Sequence, residues 1–220
     1  MSSQNQKQIT NTYDIYRSRK HILEYLKQQN YNTDAFEQMT MSEINAMTQD
    51  TIMDEKSQLD FVVVKKDDEQ MKCSVNYYLK QVQSIKKNVL EDMVMNYYQD
   101  NDKTKCVFIL IIQGNINDTI QKTIKHLWKK HGEYVIVYEL KTLLFNILEH
   151  SYVPKHEKLT NEEKIQLYKT KNITHDSQLP EISMFDPMAK ALLLKPGEVC
   201  KITRYNKISY IDYFYRLCVI

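Results

Sequence analysis

Glycine is scarce in this chain: Gly114, Gly132 and Gly197 are the only three among 220 residues. Isolated glycines cannot build the loops that cradle phosphates, which excludes nucleotide chemistry of that type. The four cysteines, Cys73, Cys106, Cys200 and Cys218, stand alone, with no C-x-x-C pair and no histidine at zinc-finger spacing. They read as reduced thiols in a reducing compartment, which argues against a disulfide framework or structural zinc. Long apolar runs are absent too. The longest, Val107–Ile112, falls far short of the roughly 20 residues a spanning helix needs. The opening M-S-S-Q-N-Q-K-Q has no signal-peptide core, so an intracellular, soluble protein that engages no membrane is expected. Net charge is also small, at +2. Residues up to Phe145 carry 19 basic against 19 acidic side chains, and the remainder 11 against 9. Nucleic-acid contact must therefore come from a local patch. There is no G-x-S-x-G, no H-E-x-x-H and no local nucleophile with its base; neither metal nor cofactor is expected.

What is present suits a globular protein of one large domain or two small ones, with 42% hydrophobic and 26% charged residues. Ile9, Tyr13, Tyr16, Leu23 and Leu26 share one helical face, with Arg17, Arg19, Lys20 and Lys27 on a solvated flank. Thr40 and Glu43 make a capping box for a second helix. The run Leu59–Val64, a charged tip from Lys65 to Gln70, and alternating Met71, Cys73 and Val75 predict a hairpin. Leu79, Val82, Ile85, Val89, Met93 and Tyr97 predict an amphipathic helix. Cys106–Ile112 reads as a central strand covered on both sides. Asn117-Asp118 can cap a helix running to Lys130, with Lys122, Lys125, Lys129 and Lys130 outward, before a strand at Tyr134–Tyr138. Alternating strands and helices imply an α/β sheet.

One catalytic pattern has to be weighed in this part. Asp60 opening a hairpin, with Gln70-Met71-Lys72 on its return strand, follows the metal-site order of restriction-type nucleases. Gln70 supplies no charge where a second acidic ligand is wanted, so an ordinary charged hairpin is the better reading.

All four prolines fall in the last third of the chain. Pro154 forces Val153 into an extended conformation. Thr160 and Glu163 form a second capping box, opening a helix with Ile165, Leu167 and Tyr168 as its apolar residues. Gln178-Leu179-Pro180 is extended again. Asp186-Pro187 places a side-chain cap and a first-turn proline in the preferred order. A short helix through Leu192 to Leu194 then meets the Pro196-Gly197 turn. Val199, Lys201 and Thr203, and Tyr213, Tyr215 and Leu217, form two final strands around a loop at Asn206–Tyr210. His150 and His156, six residues apart with no cysteine beside them, read as hydrogen-bonding groups.

The words L-L-F-N-I-L-E-H, V-P-K-H, L-T-N-E-E-K, S-Q-L-P-E-I, D-P, K-P-G-E-V-x-K-I-x-R and a closing Y-R run in one order across residues 143–217. This order resembles the H-type small subunit of archaeal RNA polymerase and the fifth-named subunit shared by the eukaryotic nuclear RNA polymerases. The resemblance implies a two-domain α+β / α/β protein. Residues 1–145 would be a nuclease-like α/β jaw domain without nuclease activity, and residues 146–220 a small α+β assembly domain. The chain departs from the family at Asn117-Asp118-Thr119-Ile120, which replaces the usual Thr-Pro-Ser-Ala near the downstream duplex. It also departs at Glu181, at Leu193 where the family has glycine, and at Asn206–Tyr210, which replaces S-E-T-x-G. These changes suggest a divergent partner, such as a polymerase encoded by a large DNA virus or a protist.

The function implied is a non-catalytic subunit of a multisubunit DNA-directed RNA polymerase, with phosphodiester chemistry in the two largest subunits. Expected partners are the largest subunit, neighbouring small subunits, and downstream double-stranded DNA held weakly and without sequence preference. DNA-contact candidates are Asn117, Thr119, Lys122 and Lys125. Docking candidates are His150, Pro154, Lys155, His156, Gln178, Pro180, Asp186, Pro187, Gly197, Lys201, Arg204 and Arg216. A cellular protein would work in the nucleus; a viral one would work in a cytoplasmic factory or a virion. The alternatives are a metal-dependent nuclease of the restriction type and a stand-alone transcription adaptor.

Overall fold

A computed structural model describes residues 2–53, 57–79 and 85–220, with side chains described from residue 12 to 48 within the first range. Among the described residues, the fold is mixed α/β with two four-stranded sheets. The chain divides into two compact units, Met1–Phe145 and Asn146–Ile220.

In the first unit, β1 (Phe61–Val64) and β2 (Lys72–Tyr78) form the predicted antiparallel hairpin. Strands β3 (Val107–Ile112) and β4 (Val135–Glu139) extend it in parallel, in the order β1-β2-β3-β4. Crossovers between parallel neighbours are right-handed, so α3 (Lys87–Gln99) and α4 (Asp118–His131) fall on one face, where they touch. The other face is left to α1 (Ser2–Gln28), which packs on α2 (Met41–Met53) and on residues 140–143. All six residues of β3 are buried, as a strand covered on both sides requires.

Two expectations change here and two residues go untested. The Ile9 and Val82 side chains lie outside the described residues. Helix α3 begins at Lys87 and buries Leu90, Val94 and Tyr98, one position along from the expected Val89, Met93 and Tyr97 row. The two rows are adjacent and equally apolar, so only contact with the sheet selects between them. Arg19, expected on a solvated flank, is 3% exposed. Its guanidinium donates to the Leu59 carbonyl at 2.7 Å and lies 4.4 Å from the Phe61 ring centre. A buried charge is tolerable when it is bonded and stacked in this way.

In the second unit, β5 (Lys155–Lys158), β6 (Glu181–Ser183), β7 (Val199–Asn206) and β8 (Tyr210–Val219) form a sheet ordered β5-β7-β8-β6. Helix α5 (Asn161–Thr170) has its predicted capping box: the Thr160 hydroxyl accepts from the Glu163 amide at 3.2 Å, and the Glu163 carboxylate accepts from the Thr160 amide at 2.8 Å. Leu167 of this helix packs with Leu179, Val199 and Leu217. Helix α6 (Pro187–Ala191) is capped by Asp186, which accepts from the Met188 amide at 2.8 Å. This helix ends before the expected Leu192–Leu194, because Leu193 turns left-handed at φ +52°. The Leu194 amide then bonds the Ala189 carbonyl at 2.9 Å and the Leu193 amide the Lys190 carbonyl at 3.0 Å, a Schellman closure normally built on glycine.

Candidate functional site

The residues expected to dock a partner sort onto the two faces of the second sheet. Pairing of His156 with Ile202, Ile202 with Phe214, and Cys200 with Arg216 aligns these side chains on one face. Arg204, two residues from Ile202, shares that face. Charges from Asp186, Arg204 and Arg216 all reach the His156 imidazole. The structure thus gathers His156, Asp186, Arg204 and Arg216, which are 60 positions apart at the extremes of the sequence. His156 is half-buried, and burial is the main cause holding its pKa below the ordinary value. Its ring nitrogen donates to the Pro154 carbonyl, Nδ1 to O, at 2.6 Å. The thiols beneath are pushed up by burial, Cys200 to about 11 and Cys218 to about 12, so they stay protonated and unreactive at neutral pH.

Lys155 and Lys201 project from the opposite face. Lys155 pairs with Glu157 at 2.6 Å, and the Lys201 Nζ lies 4.3 Å from the centre of the Tyr213 ring. The remaining candidates shape the backbone. Gln178 accepts from the Thr174 amide at 2.8 Å. The Pro180 carbonyl accepts from the Leu217 amide at 2.9 Å, and the Gly197 amide donates to the Cys218 carbonyl at 2.9 Å. Gly197 has φ +92° in the turn after Pro196, a conformation costly for any residue with a β-carbon. Pro187 opens α6. His150 is exposed, and its Nδ1 accepts from the Tyr152 amide at 3.3 Å.

On the first unit, the Asn117 side chain caps α4 by accepting from the Ile120 amide at 2.9 Å. Thr119 and Lys122 are exposed and Lys125 half-buried on the same helix. Asp60 and Lys72 do not converge. Phe61 pairs with Val75 and Val64 with Lys72, so the hairpin holds the two at opposite ends. The Asp60 carboxylate instead accepts from the Tyr77 amide at 2.7 Å. Gln70 bonds Lys105. Among the described residues, no three His, Cys, Asp or Glu side chains are placed to share a metal ion.

Sequence reasoning missed one surface. Tyr205, Ile208, Tyr210, Ile211, Tyr213 and Phe214 are all exposed around the β7–β8 turn, Ile208 at 95% and Tyr205 at 81%. The available signal was apolar residues on both faces of the hairpin end, where a half-buried strand would alternate with polar ones.

Comparison with known proteins bears on the second unit most. Residues 145–218 match the family described as RNA polymerase Rpb5, C-terminal domain. DNA-directed RNA polymerase subunit Rpo5 of Pyrococcus abyssi is 43% identical over 75 residues, 34% of this chain and 90% of that protein. The Archaeoglobus fulgidus Rpo5 is 44% identical over 75 residues, which make up 34% of this chain and 97% of that protein. The subunit rpabc1 of DNA-directed RNA polymerases I, II, and III from Dictyostelium discoideum is 35% identical over 111 residues, 50% of this chain. The chain spans 56% of the length of that eukaryotic relative. With residues 145–218 matching that family and archaeal subunits 43–44% identical over 90–97% of their own length, this chain belongs to the RNA polymerase Rpb5 family.

Proposed function

We propose that this chain is a non-catalytic subunit of a multisubunit DNA-directed RNA polymerase. Residues 146–220 dock on the largest subunit and its small neighbours, and residues 1–145 form a jaw along downstream DNA. The observation that carries the reading is the near-complete coverage of archaeal polymerase subunits by a third of this chain, together with the family match at residues 145–218. The polar face around His156, Asp186, Arg204 and Arg216 supports docking, because charged groups set around a packed sheet fix partner and register. The mixed sheet of the first unit, three parallel strands with an antiparallel edge strand and helices on its faces, supports a nuclease-like jaw. The exposed lysines of α4 support DNA contact there, as counterion-releasing charges without base readout. Phosphodiester chemistry belongs to the two largest subunits in this reading. The site of action is intracellular: the nucleus for a cellular polymerase, or a cytoplasmic factory or virion for a viral one.

Affinity purification of the tagged full chain from cells that express it tests the proposal. The two largest polymerase subunits are expected at equal stoichiometry with the chain. Their absence would leave a stand-alone adaptor as the better account.

A further inference from the structure

The end of the β7–β8 hairpin is built unlike the rest of its sheet. β5 stops pairing with β7 at Thr203, and β6 pairs only with Leu217, Cys218 and Val219 of β8. From Arg204 to Asp212 the hairpin is therefore a two-stranded ribbon. Such a ribbon is marginal in water without a covering surface. Its side chains invite one: Tyr205, Ile208 and Tyr210 are 81%, 95% and 78% exposed, and Tyr213 and Phe214 add 53% and 45%. Apolar exposure clustered like this, with aromatic residues predominating, marks an interaction site. The turn is short, Lys207 to Ser209, and Tyr210 is held left-handed at φ +66°, so the tip projects as a formed knob.

Charge identifies the occupant. Lys201, Arg204, Lys207 and Arg216 face Asp212 as the single acidic residue of the two strands and their turn. A second copy of this chain would bring like charges together. Nucleic acid needs ring faces for stacking, and two of the four rings are taken, Tyr213 by Lys201 and Phe214 by Arg204, at 4.3 and 4.5 Å from the ring centres. The most exposed tip residue is an isoleucine, which cannot stack. A protein groove meets both requirements, with an apolar floor for Ile208 and Tyr210 and acidic side chains around its rim. We propose that the ribbon end from Arg204 to Phe214 is an anchor that inserts into an acidic-rimmed apolar groove on another polymerase subunit. The proposal rests on the polymerase-subunit reading above. Arg204 is already a docking candidate; the anchor adds Tyr205, Ile208, Tyr210 and Phe214, which the family words do not include.

The test uses the full chain, tagged and expressed with its polymerase, as wild type, as the double variant Ile208→Ser/Tyr210→Asn, and as Lys207→Glu. These side chains are exposed, so circular dichroism and thermal melting of the purified variants are expected to match wild type. Retention of the double variant by the two largest subunits is expected to fall on the order of tenfold or more, as for loss of an interface anchor. Lys207→Glu is expected to weaken retention most at low salt, where an acidic rim acts most strongly. A photo-crosslinking residue at position 208 should join the chain to a polymerase subunit. If wild type co-purifies with the polymerase and the double variant is retained equally, the anchor is wrong while the subunit reading stands. If wild type itself brings down no polymerase, the subunit reading falls and the anchor with it. A crosslink to nucleic acid alone overturns the anchor in favour of a nucleic-acid contact.

Discussion

Leu193 sits at φ +52° and is 4% exposed. A β-carbon in the left-handed region costs about 1–2 kcal/mol, whereas emptying a buried leucine site costs about 2–5 kcal/mol. Packing therefore outweighs strain, and a leucine can hold this left-handed position. Leu193→Gly is expected to destabilise the protein by roughly 1–3 kcal/mol, the difference of those two terms; a rise in the denaturation midpoint would contradict this. Asp60 supplies a second residue-scale prediction. It lies at an exposed rim, yet its carboxyl is pushed up to about 6, mainly by desolvation, with the Tyr77 amide and the Arg19 charge opposing. The unfolded carboxyl titrates near 4 (about 3.9). Between those values the native state binds more protons than the unfolded one, so this group makes stability rise as pH falls from about 6 toward 4. Asp60→Asn keeps the oxygen that accepts from Tyr77 and removes the charge. It should be at least as stable as wild type at pH 7, with the difference vanishing near pH 4 in parallel denaturation curves. A loss of stability at pH 7 would mean that the ionised carboxylate is stabilising.

At the scale of elements, the local signals held wherever the chemistry was local. Both capping boxes, the Asp186-Pro187 helix start and the hairpin at residues 61–78 formed as read, because each depends on neighbours a few positions apart. Thr160→Ala should remove the cap of α5 at a cost of about 1 kcal/mol. The expected signature is faster amide hydrogen exchange at Glu162, Glu163 and Lys164, with little change in α4. Exchange unchanged at those amides would show that packing of Leu167 alone holds the helix. Signals failed where orientation needed a partner element. Arg19 looked like a flank residue because its bonding partner, Leu59, lies 40 positions away. The row of α3 that turned inward was decided by the sheet, since both candidate rows are apolar.

For the whole molecule, a net charge of +2 leaves little long-range attraction to DNA. Binding of the isolated chain to a duplex should be weak, independent of sequence and steeply salt-dependent. Replacing Lys122 and Lys125 with alanine should make the log–log salt slope shallower by about 2, about one unit for each phosphate no longer neutralised. Fluorescence anisotropy across a salt series measures this, and nanomolar binding to one sequence would refute it. On the candidate site, the family words identified the frame of the second unit. They also supplied four residues, His156, Asp186, Arg204 and Arg216, that the fold gathers around one imidazole.

By itself, the sequence determined most helices and strands, their caps and the family of the last third, though not β5, β6 or the limits of α3 and α6, because short-range spacing and ordered words are what it records. The tertiary structure alone decided the rest: that Lys155 and Lys201 project from the face opposite His156, that Asp60 and Lys72 stay apart, and that the hairpin end runs past its flanking strands into solvent. These depend on register and on where neighbouring strands stop. A one-residue slip of either would reverse every face, and no local pattern records it.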